Sequence, residues 1–315
     1  MIFSTSKPDF ASAWAVLRVD TTLDRQVAEI LPETPPVWSP EYLRKSWDQR
    51  RQPSVTFPWA KSLIIMAIPF RNLPAVALPA IADGSEFAGK VSGYASRVDY
   101  HRAAPQMLSS LHYGNRCEIV VDTKPLAEKT LATIAGIGSI GLNNCLLLPG
   151  SDSGCFIASI LTDAELPELR LPRVDYCTKC RQCLDNCPNQ HCNPTECISA
   201  LTMERRGELT TEERHLIGDW IFGCSKCTAA CPGTQLPTDF NLDLEWLLMT
   251  SSGEVARCIR DTPLNYAGIQ LLRRNALYVL ARRGTPRCRN LIEQFSKTTG
   301  SQFLKQLSAD LYYSS

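Results

Sequence analysis

Nine of the fourteen cysteines in this 315-residue chain fall between residues 177 and 231, most of them at short, regular spacings, and that pattern limits the fold more than any other feature. The first run is Cys177-x2-Cys180-x2-Cys183-x3-Cys187-Pro188. It has the spacing of two-cluster bacterial ferredoxins, in which three thiolates wrap one 4Fe–4S cubane and the fourth reaches the neighbouring one. Pro188 has no backbone N–H and fixes the direction in which the turn leaves. The second run, Cys224-x2-Cys227-x3-Cys231-Pro232, lacks a first cysteine at normal spacing, and Cys197 can supply it from across an inserted helical segment. The expected ligation is crossed. Cys177, Cys180, Cys183 and Cys231 hold one cluster, and Cys197, Cys224, Cys227 and Cys187 hold the other. Cys192 competes with Cys197 for one place. Zinc also takes Cys-x2-Cys pairs, but it needs only four thiolates and has no use for a Cys-Pro after both runs. Cys117, Cys145, Cys155, Cys258 and Cys288 stand in apolar or helical contexts and read as small buried hydrophobes.

The rest of the chain frames this region. Residues 62–69, 118–122 and 155–163 are short, apolar and β-branched, and read as buried strands. Helical stretches are expected near 97–112 and 125–135. The alternation predicts an α/β domain over 1–165, a ferredoxin-like domain over 166–245 and a helical layer over 246–315. In that layer Ile269, Leu272, Ala276 and Leu280 share a face, Gly284 is a stop, and Thr285-Pro286 opens a helix buried through Cys288, Leu291, Ile292 and Phe295. Phe303, Leu304, Leu307 and Leu311 suggest a third helix.

Lys+Arg is 33 against Asp+Glu 32, so overall charge points to no partner. The N-terminal sequence has neither a basic start nor a following apolar run, which argues against a secretory leader. No apolar stretch has membrane-spanning length. A reducing cytoplasm is the expected setting, where clustered cysteines mean metal or redox chemistry.

Gly136-x-Gly138-x-x-Gly141, with Asp163 beyond it, matches the dinucleotide fingerprint. That motif needs a strand directly before the first glycine, and the preceding KPLAEKTLATIA reads as helix. The plainer reading is a loop where the backbone approaches something bulky.

From about residue 44 to 283 the chain resembles the epoxyqueuosine reductase family, the cobalamin-dependent iron–sulfur enzymes of tRNA queuosine synthesis. The most specific part is 177–232, with ECISALTMERRGELTTEERHLIGDWIFGCSKCTAACP after the first cysteine run. GYASRVDYH (93–101) is similar to the family's acid-bearing segment, AGIGSIGLNN (135–144) to its glycine loop by the corrin ring, and TPLNYAGIQLLRRNALYVLARRG (262–284) to its HEAT-like helices. The resemblance implies an α/β cobalamin-binding domain, a ferredoxin-like double-cluster domain and a short C-terminal HEAT-like layer. It implies Asp99 as general acid, with Tyr100, His101, Asp122, Gly136, Gly138 and Gly141 as cofactor contacts and Glu128 in the same pocket. The sequence departs from the family where Trp and Lys of the glycine loop are usual, having Ser139 and Leu142, and where Gly233 replaces a Trp.

Between 255 and 291 stand Arg257, Arg260, Arg273, Arg274, Arg282, Arg283, Arg287 and Arg289, with Asp261 the sole acid of the span. That imbalance predicts a phosphate-binding face for a tRNA anticodon loop. Electrons are expected from an external donor such as flavodoxin or ferredoxin. Two other functions fit the same residues: a corrinoid reductase of another substrate, similar to reductive dehalogenases, and a cobalamin-free ferredoxin-type electron relay.

Overall fold

The computed structural model describes residues 7–36, 39–150, 154–189 and 195–314. Cys192 lies outside them. The chain forms two compact units, each assembled from separate stretches. Unit 1 comprises 1–73, 100–187 and 227–236, and unit 2 comprises 74–99, 188–226 and 237–315. The units thus interleave along the sequence, whereas the sequence pattern suggests three consecutive blocks.

Unit 1 is built on a four-stranded sheet in the order Ala13–Arg18, Ser62–Pro69, Cys155–Thr162, Cys117–Val120. All three pairings are antiparallel. The two central strands are almost wholly buried, which makes them read as the continuous apolar runs of a parallel sheet. Alternation still sorts their faces. Leu63, Ile65 and Ala67 join Leu23 and Val27 of helix Thr21–Ile30 and Leu131 and Ile134 of helix Glu128–Ile134 in one core. Asp20 caps the first of these helices, accepting from the N–H groups of Thr22 and Leu23 at 2.9 and 3.0 Å. On the opposite face Phe156 stacks on Tyr100, the ring centroids 5.3 Å apart.

Unit 2 centres on a three-stranded sheet in which Ala88–Val91 pairs in parallel with Trp220–Phe222 and antiparallel with Phe240–Asp243. The helix Leu264–Arg283 packs against it and against helices Pro286–Thr298 and Gln302–Ser314. Gly284 ends the long helix in the left-handed conformation, and Thr285 caps the next by accepting from the N–H of Cys288. Residues 271–280 are buried on every side of the helix, not along one stripe.

The buried turn includes Arg273 and Arg274, and this revises the expected arginine face. Arg274, fully buried, donates to the carbonyls of Leu201 (2.8 Å), Arg205 (2.5 Å) and Gly207 (2.8 Å) and to Asn275 Oδ1 (2.7 Å). Arg273 donates to the carbonyls of Leu247 and Thr250 and to the Ser252 hydroxyl. Arg282 and Arg283 share Asp219, at 2.5 and 2.9 Å, and Arg287 pairs with Glu86 at 2.7 Å. Five of the eight arginines are therefore structural. Their partners lie far away in sequence, so counting acids within the helical span could not reveal them.

Candidate active site

Unit 1 presents a cup lined by Cys177, Cys180, Cys183 and Cys231. Its loop turns tightly because Lys179 and Arg181 both take left-handed backbone angles, φ 56° and 66°. Arg181 then leads into the one-turn helix Gln182–Asp185. The loop is fixed at its start, where the Tyr176 N–H donates to Ser139 Oγ (2.8 Å) and the Cys177 N–H to Asp175 Oδ1 (3.0 Å). Ser139, standing where the family usually has Trp, thus holds the entrance of the cysteine loop. Leu142 and Asn143 complete the cup wall. Four soft sulfur donors facing one concavity, with no carboxylate in its lining, suit an iron–sulfur cubane.

The other four cysteines divide between the units, Cys187 and Cys227 in unit 1 and Cys197 and Cys224 in unit 2. Within unit 2, Cys197 sits at the N-cap of helix Ile198–Met203. Thr202 on that helix accepts from the Gly223 N–H at 3.0 Å, tying Cys224's neighbour to the helix that Cys197 begins.

Of the remaining cysteines only Cys288 is fully buried, while Cys117, Cys145, Cys155 and Cys258 are half-buried. Reading all five as buried hydrophobes is therefore corrected. Cys117 binds back to Tyr113, its thiol donating to the Tyr113 carbonyl at 2.7 Å. Cys145 has a different neighbour: its interaction with Cys227, together with burial, pushes the Cys227 thiol up.

Asp122 follows strand Cys117–Val120 with φ 55°, a left-handed angle rare outside glycine. Its N–H donates to Glu128 Oε1 at 2.9 Å. Burial, then repulsion from Asp122, raises the Glu128 carboxyl from 4.5 to about 8 despite the opposing Asp122 N–H and Arg50. Glu128 is thus a protonated acid at neutral pH, beside a second carboxylate on a strained turn. Lys129 lies next to it. Burial lowers its pKa, while the charges of Cys145 and Asp122 act in the other direction. Lys129 was not among the residues singled out from the sequence, although it follows Glu128 directly. The sheet beneath Asp122 is antiparallel, so the strand-end rule for open parallel sheets does not account for its position.

Asp99 belongs to unit 2, where its N–H donates to the Asp261 carbonyl at 2.8 Å. Tyr94 lies within its electrostatic reach. Burial first, then Asp99, Glu204 and Tyr266, hold the Tyr94 phenol strongly protonated. Tyr266 donates to Glu204, 2.7 and 2.8 Å from its two oxygens. Asp239 anchors this segment by accepting from the Gly93 N–H (3.0 Å) and from Ser225 Oγ (2.5 Å), next to Cys224. Neither Glu204 nor Tyr266 carries a local sequence signal, since 62 residues separate them.

Tyr100 and His101 stack on each other in unit 1, centroids 4.0 Å apart, and Tyr100 also meets the edge of Phe70. The glycines have a reason inside the chain. A Cβ on Gly136 (φ 77°) would stand 2.0 Å from the Leu171 carbonyl oxygen, and one on Gly138 2.3 Å from that of Leu147. On Gly141 it would meet Asn143 Oδ1. The bulky neighbour of this loop is the chain's own backbone. The helix Glu128–Ile134 precedes Gly136 where a dinucleotide site needs a strand, and Asp163 is occupied by the N–H groups of Asn115 and Arg116.

Two family models match the chain: epoxyqueuosine reductase QueG, DUF1730, over residues 50–123, and the 4Fe-4S double cluster binding domain over 176–234. The chain is similar to epoxyqueuosine reductases over most of its length. The epoxyqueuosine reductase of Pseudomonas aeruginosa is 29% identical over 260 residues, which is 75% of this chain and 72% of that protein. That of Synechocystis is 29% identical over 246 residues, 70% of this chain and 83% of that one. The enzyme of Leadbetterella byssophila is 32% identical over 203 residues, 61% of this chain and 64% of the relative, so that match spans less than two thirds of it. Among solved structures, the epoxyqueuosine reductase from Streptococcus thermophilus superposes with a TM-score of 0.76 at 23% identity, covering 96% of this chain and 86% of that one. An epoxyqueuosine reductase solved with an epoxyqueuosine-modified tRNA stem loop gives 0.74 at 21% identity, with 96% and 86% covered. These likenesses show that the family's fold is present here. No helix among the described residues is long and apolar enough to cross a membrane.

Proposed function

We propose that this protein reduces epoxyqueuosine to queuosine in tRNA. Opening an epoxide to an alkene consumes two electrons and two protons and releases water. The observation that carries the reading is the pairing, within unit 1, of a four-thiol cup with a carboxylic acid protonated at neutral pH. The first supports single-electron delivery and the second supplies a proton.

Two 4Fe–4S clusters serve as the conduit, with the crossed ligation of Cys177, Cys180, Cys183 and Cys231 for one and Cys187, Cys197, Cys224 and Cys227 for the other. Cys180 is exposed and the cup rim carries Lys179 and Arg181, which suits electron entry from an acidic carrier such as flavodoxin or ferredoxin. Cobalamin, when bound, supplies the strongly reducing centre at the end of this route. The three loop glycines do not fit the role of a cofactor cradle, since the chain's own atoms take the space beside each. Asp122, Tyr100 and His101 remain the candidate contacts, and no step here is drawn through the corrin.

Asp99 is the proposed general acid from its motif, with Tyr94 and the Glu204–Tyr266 pair shaping its surroundings. A second assignment has its own support: Glu128 is raised to about 8 and Asp122 is backbone-strained, as expected of a working acid pair. Single-turnover assays on anaerobic, cluster-replete Asp99→Asn and Glu128→Gln variants separate them. The variant that lacks the working acid loses on the order of 10²-fold in rate. Unchanged rates in both would refute a carboxyl acid from either place. The exposed Arg257, Arg260 and Arg289 are the arginines proposed to meet tRNA phosphates.

A further inference from the structure

We propose that Tyr266 is a stacking platform for an unpaired base of the bound RNA, with Arg206 holding a phosphate beside it. The proposal rests on the tRNA reading above and names the place on unit 2 where the loop is gripped.

Tyr266 is a large side chain left 51% exposed. Its ring is nonetheless held, because the phenol donates to Glu204, 2.7 and 2.8 Å from the two carboxylate oxygens. A hydrogen bond between exposed groups contributes little to stability in water. Its effect is placement: the ring has given up its rotamer freedom before a partner arrives, and binding does not bear that cost again. Glu204 can act as the anchor because it ends helix Ile198–Met203. That helix is tied to the long helix by Asn275, whose side-chain N–H donates to the Thr202 carbonyl at 2.9 Å.

The backbone supports the same placement. Within helix Leu264–Arg283, Gly268 has φ 76° and ψ 159°, angles open almost solely to glycine. A Cβ there would meet nothing within 4 Å, so the kink requires the glycine and crowding does not. The kink sets the turn Leu264–Ala267 apart from the buried stretch 271–280, and Tyr266 stays at the surface. Arg206, also exposed, binds this turn through Nη1, which donates to the Ala267 carbonyl at 3.1 Å. A guanidinium has five donors, so one such bond leaves it able to hold a phosphate. An aromatic face with a cation fixed beside it suits single-stranded RNA, whose unstacked bases can lie on the ring. The same segment reaches the candidate acid, since the Asp261 carbonyl at its start accepts from the Asp99 N–H at 2.8 Å.

The test uses full-length, cluster-reconstituted protein and two labelled RNAs: an anticodon stem loop carrying epoxyqueuosine, and a fully paired duplex of equal length. Each is titrated at several salt concentrations. Tyr266→Leu is expected to weaken stem-loop binding about tenfold while leaving duplex binding and the salt dependence unchanged. Tyr266→Trp, which keeps an aromatic face, restores the affinity. Arg206→Ala lowers the slope of log affinity against log salt by about 0.7, the share of one single-strand phosphate. Unchanged stem-loop affinity in Tyr266→Leu overturns the proposal. An equal loss on both RNAs also overturns it, because no unpaired base is then being held. So does a Trp variant that binds the stem loop no better than the Leu variant. Failure of the wild-type protein to bind the stem loop at all would refute the tRNA reading itself, which separates that failure from this one.

Discussion

Replacing Glu128 by Gln tests the most unusual titration in the molecule. The wild-type carboxyl moves from 4.5 to about 8 on folding, because it is buried and faces Asp122. A displacement of that size corresponds to at most about 5 kcal/mol. Partial solvent contact leaves on the order of 2–3 kcal/mol in practice. The sign follows from linkage. The folded pKa is raised, so the stability that Glu128 contributes is fully present below about pH 4.5 and is lost as pH rises through about 8. Gln cannot ionise and shows no such loss. Urea unfolding of both proteins at intervals from pH 4.5 to 8.5 should therefore show the variant gaining on the wild type across that window, with a flat difference above it. Two parallel stability curves would refute the reasoning, since they would mean that Glu128 titrates alike in the folded and unfolded chain. If Glu128 is the acid, wild-type turnover should also fall as pH passes about 8.

Arg274→Met should cost about 3–5 kcal/mol in urea unfolding, because it leaves the Leu201, Arg205 and Gly207 carbonyls and Asn275 without their donor. Weaker tRNA binding by that variant should track its unfolded fraction and not its charge, as a salt titration would show. Gly136→Ala should destabilise by about 2 kcal/mol or more, since it adds a clash with the Leu171 carbonyl to a left-handed backbone. Asp219→Asn removes a carboxylate whose pKa is lowered by Arg282 and Arg283 despite the opposing effect of burial. Its contribution is present above about pH 4 and lost as pH falls below it, a loss of about 1 kcal/mol or less at this half-exposed site.

What could be read from the sequence was local. The strands at 62–69 and 155–163 and the cap at Thr285 follow from apolar runs and turn chemistry within a few residues. The strand Ala13–Arg18 escaped notice because its register against Ser62–Pro69, not its alanine-rich composition, makes it a strand. The sheet around Ala88–Val91 joins segments well over a hundred residues apart, so no local pattern announces it. The site divides in the same way. Spacing brought out the thiols of the cup, but the arginine partners Asp219 and Glu86 and the Glu204–Tyr266 pair depend on tertiary approach. The long buried helix was misleading for a physical reason: arginines that cap carbonyls inside a core look, in sequence, like arginines awaiting phosphate.

The most direct test of the central claim is turnover of epoxyqueuosine-containing tRNA by the anaerobically reconstituted, cobalamin-supplied protein under a low-potential reductant, with the nucleosides resolved by mass spectrometry. The account predicts conversion to queuosine with loss of one oxygen, abolished when Cys177 is replaced by Ala. Epoxyqueuosine recovered unchanged from protein that carries both clusters and bound cobalamin would contradict it.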